Sequence, residues 1–236
     1  MSMDGNRMKH TYVLRAAALL LACLALFCAC RTKSSELHLE NGAFRNEKTG
    51  VAYREAPATY RATSVLQGEP LFLAMGVLSD GIPLYAIESA DADDYLTDEH
   101  YTLYYNTDIT LPTLAEMKPY AVSRCTTSAY VAQEYDRWDE DDQEKIDKLV
   151  NSLKQNDTYP RSVLPEYSCE RYELLFHSKE YSGFFYVLEY WEYEESFTFV
   201  YDGEEITVVK VVIFDRSRNC FYVVNDLLED TSIEQK

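Results

Sequence analysis

The sequence predicts an α+β fold: a mainly antiparallel β-sheet, its C-terminal half a meander, covered by one amphipathic helix. Three observations carry the prediction. Residues 171–224 contain five segments rich in β-branched and aromatic residues, joined by short polar stretches. One stretch, residues 139–156, places its apolar residues at the helical period. Hydrophobic residues make up 47% of the chain and aromatic residues 14%, enough to fill a core and too many for a disordered chain.

From the N-terminal side, residues 36–62 read as short strands parted by turns at Asn41-Gly42 and Lys48-Thr49-Gly50, with Pro57 interrupting before Tyr60. LFLAMGVL, residues 71–78, is apolar on both parities and suits either a buried strand or a short buried helix. IPLYAI (82–87) and HYTLYY (100–105) read as strands, the second with Tyr101, Leu103 and Tyr105 on one face. The acidic stretch ESADADDYLTDE between them reads as a loop.

In the helix, Ile146, Leu149, Val150 and Leu153 form the apolar stripe. Asp141 and Glu144 have capping-box spacing, and Lys154 and Asn156 suit the C-terminal end. The five C-terminal strands are expected at 171–177, 183–191, 196–201, 204–214 and 220–224. Asp202-Gly203 is a two-residue hairpin signal, and Asp215 to Asn219 form a polar loop. Along 206–214 Val209, Val211 and Ile213 share one parity while Lys210 interrupts the other, so one face of the sheet is expected on a core and the other partly wet. On 183–191 the same logic puts Phe184, Tyr186, Leu188 and Tyr190 in the core. It leaves Trp191 and Tyr193 as an exposed aromatic pair, the candidate ligand-binding residues.

The N-terminus carries a different signal. Ala16 to Ala29 is an uninterrupted apolar run of 14 residues, preceded by Lys9, His10 and Arg15 and followed by Arg31 and Lys33. As a helix it would reach about 21 Å, short of the roughly 30 Å of a bilayer's hydrocarbon layer. A cleaved signal fits that length better than a span. The run ends in RAAALLLACLALFCACRTK, which resembles the bacterial lipoprotein signal: a small residue, Ala29, stands directly before Cys30, and Phe27 is apolar at minus three. Cys23, after Ala22, is the alternative and would leave a shorter apolar run. The resemblance implies a diacylglyceryl group on the Cys30 sulfur, and two acyl chains give stable membrane anchoring where one does not. The conventional opening at Met8, MKHTYVLR, suggests that the first seven residues precede the true start. The expected organisation is a signal over 1–30, a tether over 31–36 and one α+β domain over 37–236, with room for a β-rich N-terminal subdomain over 37–125.

With 40 acidic against 22 basic side chains the net charge is −18, and it deepens by two once residues 1–29 are removed. Such a chain repels phosphate backbones, which excludes nucleic acid from the expected partners. Beyond Cys30, Cys125, Cys169 and Cys220 allow one disulfide or none, and without C-x-x-C or zinc spacing they read as buried small residues. No cofactor and no metal is expected. Asp91, Asp93, Asp94 and Asp98 fail the EF-hand pattern, because its glycine position falls on Leu96.

Three further features bear on chemistry. His177-Ser178 lacks the surroundings of a nucleophile elbow. His38 and His100 fall in strand-like segments without a zinc-protease motif. Glu189, Glu192, Glu194 and Glu195 lie beside aromatic residues, a composition shared by sugar-handling clefts and acidic β surfaces. The expectation is a lipid-anchored protein on the extracytoplasmic face of a bacterial membrane, a non-enzymatic binding module with a glycan or protein partner. The alternative is an envelope hydrolase of glycan or peptide that uses surface carboxylates.

Overall fold

The structure, a computed structural model, describes residues 35–76, 81–126, 134–166 and 169–225. The expected signal segment and Cys30 lie outside the described residues. Among those described, no helix is long and apolar enough to cross a membrane. The α+β expectation holds: two large sheets dominate, and one long helix packs on the second.

The first sheet takes β1 (Ser35–Glu40), β2 (Ala43–Arg45), β3 (Ala52–Glu55), β5 (Phe72–Met75), β6 (Ile82–Leu84), β7 (Tyr95–Thr97) and β8 (Leu103–Asn106), in the order β6-β5-β1-β2-β3-β8-β7. The β1–β2 turn is made by Asn41 (φ 52°) and Gly42 (φ 77°), the pair of positive φ values a tight antiparallel hairpin requires. The 71–78 segment is therefore a strand where it is described, and β7 emerges from what the sequence presented as an acidic loop. Tyr85, one residue past β6, and Thr97 in β7 exchange two backbone hydrogen bonds of 2.7 and 3.0 Å. The two edges of the sheet thereby meet, and the strands close on themselves. Every strand sends a side chain into the enclosed core, including Leu37, Phe44, Tyr53, Ala74, Leu84, Leu96 and Tyr104. Closure removes the unpaired edges that short strands would otherwise expose.

β4 (Tyr60–Ala62) links this barrel to the second sheet. On one side Ala62 N donates to Tyr101 O beside β8, and on the other β4 pairs with β13 (Phe184–Tyr193) at Phe184–Tyr186. The junction has its own core, in which Ala62, Ile87, Leu103, Met117 and Phe184 are buried. Met117 ends α1 (Leu114–Met117), a single turn held by a capping box between Thr113 and Glu116.

The second sheet adds β9 (Ala121–Thr126), β10 (Glu134–Trp138), β11 (Thr158–Pro160), β12 (Cys169–His177), β16 (Val211–Asp215) and β17 (Cys220–Val223) to β13, in the order β10-β9-β12-β13-β16-β17-β11. Every pairing is antiparallel. α2 (Gln143–Gln155) covers one face through Ile146, Leu149 and Leu153, with Val150 half-buried beside them. The expected capping box does not form. A short 3-10 turn over Glu140–Asp142 precedes the helix, and the side chain of Asp139 caps that turn by accepting from Asp141 N.

The C-terminal meander needs one correction. The expected strand 204–214 is two strands, because the chain breaks at Val209-Lys210. β15 (Glu204–Val208) pairs with β14 (Phe197–Tyr201) in a separate hairpin, turned by Asp202 (φ 51°) and Gly203 (φ 85°). β16 returns to pair with β13. Tyr193 N donates to Lys210 O and Val209 N donates to Asn225 Oδ1, which fixes the break. The hairpin then covers the second face of the sheet, where Phe199 and Val208 pack with Trp191, Tyr193, Val212, Phe214 and Phe221. Both faces are consequently dry, and Val211 to Asp215 are buried on both parities.

The β12–β13 turn docks tightly on the barrel side. A Cβ built on Gly183 would lie 2.5 Å from the Ala90 Cβ. Gly183→Ala is expected to cost about 1–3 kcal/mol in a denaturant titration. Adding Ala90→Gly should recover part of that loss, and an unaffected Gly183→Ala would contradict the close approach.

Candidate functional site

The aromatic pair singled out by parity lies on the face covered by the hairpin. Trp191 is 4% and Tyr193 2% exposed, so the expected exposed pair is overturned. The cause is the break at Val209-Lys210: a continuous strand there would have left this face to water. The Trp191 indole stacks on Phe214 at 4.7 Å between centroids, and its Nε1 donates to Glu189 Oε2 at 2.6 Å.

Around this buried ring the fold gathers cations. Arg171 is the cross-strand partner of Trp191, and its guanidinium lies over the indole, 4.1 Å from the centroid. Arg161, in the short 3-10 turn that follows β11, lies 5.7 Å from the same ring and 5.9 Å from Phe214. Arg216, just past β16, forms an ion pair with Glu189. Arg161, Arg171 and Arg216 are exposed, whereas the groups beneath them are buried. Tyr193, whose ring meets Phe197 edge to face, has a buried hydroxyl with no hydrogen-bond partner. Burial, with the neighbouring Cys169 adding to it, pushes that phenol up to about 12, and Arg171 and Arg161 act against the rise.

The same face carries two buried carboxylates directly opposite each other, Glu173 on β12 and Glu189 on β13. Like charges in that register repel. Each is neutralised by an arginine from outside its own strand. Arg61 of β4 grips Glu173 with both terminal nitrogens at 2.5 Å, while Glu189 takes Arg216 on one oxygen and Trp191 on the other. Both carboxylates are thus consumed by the fold. Of the other acids beside aromatics, Glu194 and Glu195 are exposed and Glu192 is half-buried, 3.9 Å from Arg124. Glu192 and Glu194 share a groove with Cys169, Glu170, Tyr193 and Lys210.

His177 and Ser178 are separated by the alternation of the chain at the end of β12. Ser178 Oγ donates to Met117 O at 2.6 Å and holds the turn on α1. His177 Nε2 lies 2.9 Å from Ser123 Oγ, and Ser123 donates its only proton to Glu134 Oε2 at 3.0 Å. In that chain the imidazole must donate to the serine. This is the reverse of nucleophile activation, in which the ring accepts the serine proton. Burial, with Arg137 adding to it and Glu134 opposing, lowers the His177 pKa to about 4.

The three described cysteines are free, and burial raises the thiol pKa of Cys125 and Cys220, which disfavours thiolate chemistry. Asp98, in the acidic stretch, accepts from His100 N and Thr102 N and so shapes a turn. Among the described residues no group of three or more metal-ligating side chains converges.

Arg61, Glu173, Arg161, Arg171 and Arg216 were not singled out from sequence. The alternation Arg171, Glu173, Leu175, His177 does put the first two on one face. Which tryptophan or arginine they meet depends on strand register, which a single chain does not display. No protein-family model, no curated protein and no solved structure matches this chain.

Two measurements check the site. Trp191→Ala should cost about 3–5 kcal/mol in a denaturant titration, the loss typical of a buried large aromatic; a cost under 1 kcal/mol would return Trp191 to the surface. His177 has a folded pKa of about 4 against a usual 6.5, so the unfolded chain takes up its proton first as pH falls. Its contribution is present in full above 6.5 and is lost as pH falls towards 4. Allowing for partial exposure, about 2 kcal/mol should disappear over that window. The loss should be absent in His177→Gln, and equal pH profiles for the two proteins would refute the assignment.

Proposed function

We propose that this chain is a bacterial lipoprotein, held on the extracytoplasmic face of the membrane by a diacylglyceryl group on Cys30, and that its folded part is a non-enzymatic binding module. The anchor rests on the apolar run, its basic flank and Ala29-Cys30. One observation carries the binding reading. Glu173, Glu189 and Ser123, three buried groups suited to acid–base or nucleophilic work, are each held by an intramolecular partner, while Arg161 and Arg171 stand exposed beside a rigid aromatic floor.

Catalytic groups are generally held at a cost to stability, and replacing them is often neutral or stabilising. Groups that serve the fold behave in the opposite way. Glu189→Gln and Glu173→Gln should each destabilise by about 1–3 kcal/mol, since the first weakens the acceptor of the buried Trp191 N–H and the second leaves the half-buried Arg61 without its ion pair. Stability equal to or above that of the parent would favour the hydrolase alternative. For the anchor, the mature protein should begin at Cys30 with two acyl chains in its mass, and Cys30→Ala should abolish that mass. A different mature N-terminus, or acylation of Cys23, would displace the assignment.

A further inference from the structure

We propose that Arg161 and Arg171, converging on the Trp191 ring, form a binding site for an oxyanion, a carboxylate or phosphate group presented by the ligand. The proposal gives the binding-module reading its ligand chemistry and rests on that reading.

Arg171 lies over the indole and Arg161 flanks the Trp191–Phe214 stack, about equally far from both rings, so the two guanidinium groups stand no farther apart than the sum of their distances to the indole. Two like charges at that spacing repel, and the repulsion is relieved when an anion enters between them. Carboxylates are abundant in this chain, 40 against 22 basic residues, and two other arginines of the same face have each taken one. Among the described residues, neither the Arg161 nor the Arg171 side chain is in an ion pair or a hydrogen bond. With no hydrogen bond among the described residues, the N–H donors of both guanidinium groups remain for bidentate contact with two oxygens.

A second observation points to the same place. The Tyr193 hydroxyl is buried beside the Cys169 thiol without a hydrogen bond of normal length, and both arginines act on it electrostatically. Buried polar groups are normally satisfied, so a buried hydroxyl without a hydrogen bond, close to two arginines unpaired among the described residues, marks a position that a ligand oxygen could complete. The floor is preorganised. Trp191 is fixed by its stack on Phe214, by its bond to Glu189 and by strands paired on both sides of β13. A rigid floor lowers the ordering cost of binding. The overall negative charge opposes a polyanion such as nucleic acid far more than a single oxyanion group admitted at one local cationic spot.

The test uses tryptophan emission from the full-length protein carrying Trp138→Phe, which leaves Trp191 as the reporter. The protein is titrated with inorganic phosphate and, separately, with glutarate, each at constant ionic strength balanced by chloride. A saturable change with either anion is expected. Phosphate alone would point to a phosphoryl-bearing ligand, glutarate alone to a carboxylate-bearing one, and both to general oxyanion recognition. Arg161→Gln and Arg171→Gln should each weaken binding roughly tenfold, the loss of one charge-assisted contact. Arg171→Lys should also weaken it, because the charge stays while the planar fork is lost. No saturable change with either anion, or affinity unaltered in both Gln variants, would overturn the site. Such a failure, with Glu189→Gln still destabilising, would remove the oxyanion and leave the binding-module reading standing. Stable Glu189→Gln protein would instead count against that reading itself.

Discussion

The architecture of the second sheet depends on where β13 finds its neighbour. Tyr193 N donates to Lys210 O, so the chain rejoins β13 only after the β14–β15 hairpin has been made. That hairpin cannot continue the sheet, because β16 already occupies the edge of β13. It lies over the face instead, and the alternate residues of β13 that a simple meander would leave wet become a second core. A sheet with both faces buried requires near-continuous apolar runs. FFYVLEYWEY and VVIFD, the β13 and β16 sequences, have that character.

A dry second face also explains its arginines. Glu173 and Glu189 sit opposite each other where water is scarce, and either one alone would be costly. Arg61 reaches Glu173 from β4, the strand that joins the barrel to the sheet. Loss of that contact would strain two elements at once: the carboxylate row of the sheet and the junction that seats Phe184 and Ala62. The ion pair therefore ties the barrel to the sheet by a route separate from the backbone ladder, and its geometry specifies how the two meet.

Elements governed by local chemistry were legible in the sequence. The α2 stripe follows from its period, and the turns at Asn41-Gly42 and Asp202-Gly203 follow from residues that tolerate positive φ. Features that depend on distant partners were hidden. β7 lies within an acidic stretch and is fixed by pairing with β8 and by the bridge to Tyr85. The break at Val209-Lys210 has no glycine or proline to announce it, since the run from Ile206 to Phe214 is β-favouring throughout apart from its lysine. One missed bend placed Trp191 and Tyr193 on the wrong side of the solvent boundary. Arg171 over Trp191 was illegible for the related reason that register is a property of two strands.

The correction at Trp191 changes what kind of recognition this face can offer. An exposed indole would have presented a flat surface for stacking, with little discrimination by charge. A buried indole flanked by guanidinium groups presents those groups instead, and recognition there would be ionic and directional. The ring remains necessary, because cation–π attraction holds two positive charges together where repulsion would otherwise spread them into solvent. Glu189 extends this support by fixing the indole edge with one oxygen and Arg216 with the other. An acidic protein can thus keep a small cationic spot with no matching carboxylate among the described residues, because an aromatic face retains the cations and leaves their positive charge unneutralised.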